Sequence, residues 1–314
     1  MAVHAFIFPG QGSQAPGMGR DLAGAFAAAR EVFQEVDDTL GQKLSAIMFE
    51  GPAETLTLTE NAQPALMAHS LAVLRVLETE GKFKLAYRAV VVAGHSLGEY
   101  SALAAAGAFG IAQAARLLKL RGQAMQKAVP PGAGSMAALL GAEMPLALEI
   151  CAEAADGEVI EPGNDNGGGQ VVISGATAAV ERAIVIAQAK GVRRAMKLPV
   201  SAPFHCAMMA PAADAMAEAL RASPPIAPAV PVVANVSAAR ATDPAEIIDL
   251  LVKQVTATVR WRECMLAMAA LGVDSFVELG SGKVLSGLVK RVTPEATGVN
   301  AGTPAEIEAL LKIL

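Results

Sequence analysis

The chain has 314 residues, 53% hydrophobic and 18% charged, with a formal net charge of −5 at pH 7. The apolar fraction supplies a large core and excludes intrinsic disorder, and the acidic balance excludes a nucleic-acid or anionic-membrane surface. Three scattered cysteines, Cys151, Cys206 and Cys264, form no C-x-x-C pair, which fits a reducing compartment and argues against zinc.

Met1-Ala2-Val3-His4 lacks a basic segment followed by a long apolar run, and later apolar stretches are broken by Gly, Pro or charge. Neither a signal peptide nor a membrane span is expected, so the protein reads as soluble and cytoplasmic. Residues 5–8 read as a buried strand ending in the loop Pro9-Gly10-Gln11-Gly12-Ser13-Gln14. Helical spacing follows at about 21–40 and 63–80. Residues 89–93 read as a second buried strand, followed by a turn around Ser96 and helices over 99–106 and 111–129. This alternation predicts an α/β layer fold with a mostly parallel sheet.

Pro130-Pro131-Gly132-Ala133-Gly134 interrupts that rhythm. Beyond it come a strand at 135–140, a helix at 145–155 and strands at 159–160 and 170–174 around a loop at 161–169. A helix at 177–190 and a strand at 194–198 complete β-α-β-β-α-β, the split βαβ order of a ferredoxin-like unit. The expected organisation is a large α/β-hydrolase-like catalytic domain, 1–129 and 199–314, with a ferredoxin-like subdomain inserted at 130–198. The large domain resumes with a strand near 230–235, a helix at 244–255 and a strand at 275–278.

Gly94-His95-Ser96-Leu97-Gly98 stands after a buried strand and before a helix, the nucleophile-elbow pattern. Its glycines permit a sharp turn that lifts the serine Oγ out of the sheet, and the helix amides face a developing oxyanion. A serine nucleophile needs a base, and the chain holds four histidines. His4 precedes the first strand, His69 lies mid-helix among Leu66, Met67 and Leu71, and His95 adjoins the nucleophile with its side chain directed elsewhere. Elimination leaves His205, in a loop with two prolines. No acid stands out as a third member, and a backbone carbonyl can fix the imidazole instead, so a Ser96–His205 dyad is expected. Arg121 reads by spacing alone as a surface arginine on an amphipathic helix, although a guanidinium could grip a carboxylate with two parallel hydrogen bonds.

Four ordered motifs carry a family resemblance: Phe8-Pro9-Gly10-Gln11-Gly12-Ser13-Gln14, Gly94-His95-Ser96-Leu97-Gly98-Glu99-Tyr100, Leu120-Arg121-Gly122-Gln123-Ala124-Met125-Gln126, and residues 199–206. Together they resemble the malonyl-CoA:acyl carrier protein transacylases, relatives of polyketide synthase acyltransferase domains, over essentially the whole chain. The resemblance implies an acylated Ser96, His205 as base, an oxyanion hole from the Gln11 and Leu97 N–H groups, and Arg121 on the malonyl carboxylate. It further implies that the Gln254 main-chain carbonyl orients His205, and that Met125, Phe204 and Asn166 line the acyl pocket. Phe204 leans the acyl group to malonyl over methylmalonyl. Asn164-Asp165-Asn166-Gly167-Gly168-Gly169-Gln170 departs from the Asn-x-Asn-Ser-Pro-Gly-Gln expected there.

The implied reaction is ping-pong malonyl transfer from malonyl-CoA to the phosphopantetheine thiol of an acidic acyl carrier protein, for fatty-acid biosynthesis, with no metal or redox cofactor and a monomer expected. A malonyltransferase serving a polyketide synthase is an alternative. A serine esterase or thioesterase would share the elbow without needing Arg121, and a carrier-docking module would need no nucleophile. Gly10-Gln11-Gly12-Ser13-Gln14-Ala15 also fits a dinucleotide fingerprint, but Glu31 and Glu35 fall in a helix where its acid should end a strand. Two basic clusters, Lys190 with Arg193, Arg194 and Lys197, and Lys283 with Lys290 and Arg291, are each candidates for the carrier's docking surface.

Overall fold

The computed structural model describes residues 2–314. Its strands are β1 (His4–Phe8), β2 (Ala89–Gly94), β3 (Gly134–Leu140), β4 (Ile160–Gly167), β5 (Gln170–Ala176) and β6 (Arg194–Lys197). The chain continues with β7 (Val232–Val233), β8 (Arg240–Ala241), β9 (Ser275–Leu279) and β10 (Thr297–Ala301). Six of them form one sheet in the order β10-β9-β1-β2-β7-β8, parallel except for the β7–β8 pair. β1 is buried along its whole length and β2 over its last four residues, because helices cover both faces of the parallel sheet. The fold is therefore α/β with a mostly parallel main sheet.

A separate antiparallel sheet takes the order β4-β5-β3-β6, with the helices Met144–Ala154 and Thr177–Ala189 between its strands. Its own core gathers Ala137, Leu139, Ile150, Ile173 and Val180. β4 is stitched to the chain beyond Gln254: Asp165 N–H donates to Val259 O at 2.9 Å, and Val259 N–H donates to Gly163 O at 2.9 Å.

Several elements differ from the sequence reading. The helix expected over 21–40 is two helices, Arg20–Ala25 and Ala27–Leu40, because Phe26 is extended (φ −125°, ψ 127°). The Arg30 side chain donates to Ala23 O at 2.7 Å and satisfies a carbonyl at that break. The helix expected from residue 63 begins at Thr59, and Pro64 is accommodated in its second turn. The loop expected over 161–169 is mostly β4, because β5 supplies a ladder for a segment whose Pro, Gly and Asn content argues against a strand. β10, unforeseen, forms the sheet edge beyond β9.

The helix Ile111–Lys127 packs on the long helix Thr59–Glu80, and Gly122 marks their crossing. A Cβ there would lie 2.5 Å from Glu60 Cα and 2.6 Å from Thr59 O, so only glycine allows this approach. Among the described residues no helix is long and apolar enough to cross a membrane.

Candidate active site

Ser96 sits at the end of β2, before the helix Gly98–Ala105, with φ of 54°. A non-glycine residue rarely adopts that conformation, and its persistence requires surroundings that over-determine it. A Cβ on Gly94 would overlap the Gly98 carbonyl, and one on Gly98 would overlap the Phe8 carbonyl at the end of β1. Asn235, fully buried after β7, spans the turn. Its Oδ1 accepts from Ser96 N–H at 2.8 Å, and its Nδ2 donates to Gly94 O at 2.8 Å.

His205 also stands at positive φ, 61°, and is buried. Its Nδ1 lies 2.8 Å from the Gln254 main-chain oxygen and its Nε2 lies 2.7 Å from Ser96 Oγ. A carbonyl can only accept, so Nδ1 carries the proton and Nε2 presents a lone pair to the serine hydroxyl. The orienting group is thus a main-chain carbonyl, not a carboxylate. Burial, reinforced by the Arg121 charge, pushes the imidazole pKa down to about 3.

Arg121 is not a surface residue: it is 1% exposed. One terminal nitrogen donates to Gln63 Oε1 at 2.8 Å, and the other donates to Gln254 Oε1 at 2.8 Å and to Ser96 Oγ at 3.2 Å. Its Nε is buried without a partner among the described residues, and the guanidinium carbon lies 5.7 Å from the Tyr100 ring centroid. Gln63 in turn donates to Thr59 Oγ1 at 2.9 Å, and Thr59 donates to Gln11 Oε1 at 2.9 Å. A buried cation is thereby held among neutral acceptors, able to receive an anion close to the serine.

These groups face one cavity of about 420 Å³, lined by Gln11, Ser96, Arg121, Met125, Asn166, Phe204 and His205. Gln11 N–H and Leu97 N–H have no hydrogen-bond partner among the described residues. His95 is turned away from Ser96: its Nε2 lies 2.9 Å from Asn166 Oδ1, and its ring packs 5.7 Å from Trp261. The Gly10–Gln14 loop that resembles a dinucleotide fingerprint instead borders this cavity, with Gly10 pressed against His95. His69 is buried elsewhere and contacts Gly302 O at 2.9 Å.

Sequence reasoning missed Gln63, Glu99 and Asn235, and saw Gln254 only as a carbonyl. Glu99 is 2% exposed, and its Oε2 accepts from Asn235 N–H at 3.0 Å and from Gln254 Nε2 at 2.8 Å. Burial raises its pKa to about 7. A charged residue directly after the elbow, opening a helix of small apolar residues, was the available signal.

Residues 5–305 match the family described as acyl transferase domain. The chain is 45% identical to the malonyl CoA-acyl carrier protein transacylase of Escherichia coli strain K12 over 313 residues, covering 100% of both chains. It superposes with a TM-score of 0.97 on an acyl-carrier-protein-S-malonyltransferase from Bartonella henselae, at 55% identity and 99% coverage of both chains. Another solved structure holds a type II polyketide synthase acyl-carrier protein in complex with its malonyl-transacylase; the match has a TM-score of 0.96, 41% identity and 100% coverage of both chains.

Proposed function

The chain belongs to the acyl transferase domain family, and from that membership we infer a malonyltransferase. It transfers the malonyl group from malonyl-CoA to the phosphopantetheine thiol of acyl carrier protein for fatty-acid biosynthesis. The observation that carries this reading is Arg121, a buried guanidinium donating to Ser96 Oγ at 3.2 Å inside the same cavity. An esterase acting on neutral acyl groups has no use for a buried cation there.

In the proposed mechanism His205 Nε2 takes the Ser96 proton as Oγ attacks the thioester carbonyl. The Gln254 carbonyl stabilises the imidazolium through Nδ1–H. The N–H groups of Gln11 and Leu97 receive the oxyanion, while Arg121 holds the free carboxylate. Collapse releases coenzyme A, with His205 returning the proton to the thiolate. The carrier's thiol then attacks malonyl-Ser96, giving its proton to the same base, and the ester C–O bond breaks as His205 Nε2 returns that proton to Ser96 Oγ. Met125, Phe204 and Asn166 shape the acyl pocket.

Of the two basic clusters, the one on the helix Val284–Val292 suits carrier docking better. Lys190 and Lys197 are paired to Glu149, Glu153 and Glu181, whereas Lys290 and Arg291 are exposed on a helix whose Leu285 and Leu288 reach the cavity. Reversing both charges should raise KM for the carrier and leave acylation by malonyl-CoA unchanged. The reading further divides the chain into a catalytic unit, 1–129 with 199–314, and an inserted ferredoxin-like unit, 130–198, and places a monomer in the cytoplasm. Three buried free thiols support that compartment.

Incubation with malonyl-CoA alone, followed by intact mass, tests the function. A malonyl adduct on Ser96 that acyl carrier protein discharges is expected. Absence of the adduct, or its loss to water with carrier present, would overturn the transferase reading.

A further inference from the structure

Beneath Ser96, His205 and Arg121 lies a layer of polar side chains outside the cavity lining. Gln254 Nε2 donates to Ser96 O at 3.0 Å and to Glu99 Oε2 at 2.8 Å, while its Oε1 accepts from Arg121 at 2.8 Å. Three acceptors hold the NH2 end of this amide, Ser96 O, Asn235 Oδ1 at 3.3 Å and Glu99 Oε2, and the Glu99 carboxylate makes the shortest of the three contacts. With a carboxylate oxygen against the NH2 end, the amide oxygen must face the guanidinium. The reversed amide would set oxygen against oxygen at Glu99 and NH2 against N–H at Arg121, leaving a buried cation short of an acceptor. The same Oε2 accepts the Asn235 main-chain N–H at 3.0 Å, and the Asn235 side chain clamps the Ser96 turn.

We propose that Glu99 is a positioning residue for carboxylate recognition: through Gln254 it aims Arg121, and through Asn235 it steadies the nucleophile's turn. The inference rests on reading Arg121 as the ligand of the malonyl carboxylate. Glu99 never touches substrate. Both of its hydrogen bonds fall on Oε2, so a proton on Oε1 leaves the arrangement intact, and the acceptor matters more than the charge. An acid whose only task was to favour the N-terminus of the helix Gly98–Ala105 would act equally on every acyl group.

That difference provides the test. Rates of Ser96 acylation by malonyl-CoA and by acetyl-CoA, which lacks the carboxylate, are measured by intact mass for wild type, Glu99→Ala, Glu99→Gln and Glu99→Asp. Loss of the acceptor in Glu99→Ala should lower the malonyl-to-acetyl ratio of kcat/KM roughly tenfold or more. Glu99→Gln, which can place an amide oxygen at the Oε2 position, should stay within about threefold of wild type. Glu99→Asp keeps the charge but is one methylene too short for both donors, so its ratio should fall even if Glu99→Ala does not fold. An unchanged ratio in Glu99→Ala or Glu99→Asp would overturn the proposal, as would a Glu99→Gln ratio as low as that of Glu99→Ala. If wild type itself forms no malonyl adduct, the function is wrong; if it forms one and only the ratios fail, Glu99 alone has been misread.

Discussion

Arg121 and Gln254 are joined side chain to side chain at 2.8 Å, and the main-chain oxygen of that same Gln254 receives the His205 Nδ1 proton at 2.8 Å. One buried residue therefore anchors both the proposed base and the proposed carboxylate ligand. Recognition and proton transfer share a support, so a substrate that displaces Arg121 also loads the segment holding the imidazole.

Arg121→Ala is expected to lower kcat/KM for malonyl-CoA by about 10²- to 10³-fold, the usual loss for a buried charge pair. Acylation by acetyl-CoA should fall much less. Arg121→Lys should recover little, because an ammonium cannot reproduce a planar fork bonded at once to Gln63, Gln254 and substrate. Competition between the two thioesters, read by the mass of the adduct, checks both.

The pH profile of acylation should be unusual for a histidine base. With the imidazole held down to about 3, its Nε2 lone pair stays available well below the ordinary 6.5. The kcat/KM for adduct formation, which reports the free enzyme, should show no histidine-like decline between pH 8 and 5. A fall centred near 6.5 would show that His205 titrates as if exposed.

Stability should respond to pH through two buried groups of opposite sign. The folded chain keeps His205 neutral while the unfolded chain takes up a proton near 6.5. Its contribution is therefore full above about pH 6.5 and declines as pH falls toward 3. Glu99 is raised from 4.5 to about 7, so its contribution is full below 4.5 and declines as pH climbs to 7. Glu99→Gln should gain on wild type between those limits, by on the order of 3 kcal/mol, and gain nothing further above them. Urea unfolding of both proteins at a series of pH values measures the difference.

Asn235→Ala removes the clamp on a turn held at positive φ, leaving Ser96 N–H and Gly94 O without their partner. A loss of about 2 kcal/mol in stability and a tenfold or larger drop in acylation rate are expected. Thermal unfolding and adduct kinetics report the two effects separately.

The parts of the site legible from the residues were those with local grammar. Ser96 was marked by its glycines and its place between strand and helix, and His205 by the shortage of other histidines. Arg121 was visible only through the flanking motif, since helical spacing alone put it at the surface. Gln63 and Asn235 carried no mark of their own, and Glu99 only that of a charge opening an apolar helix, because their meaning lies in contacts across 58, 139 and 155 residues. The same holds for β4, whose Pro162 and Gly163 speak for a loop until β5 pairs with the residues around Gly163, which stands at a break in the register. Local pattern picked out the groups proposed to react, while the groups that surround them depended on the long-range pairing of the chain.

The crossing at Gly122 sets the distance between the arginine's helix and the helix Thr59–Glu80. With Thr59 and Glu60 backbone atoms 2.5 to 2.7 Å from any added carbon, the two helices have no slack between them. That same partner helix carries Gln63, whose Oε1 accepts from Arg121 at 2.8 Å. The missing side chain of a glycine thus keeps two helices close enough for a buried guanidinium to find its acceptor, and a methyl group there would pull them apart.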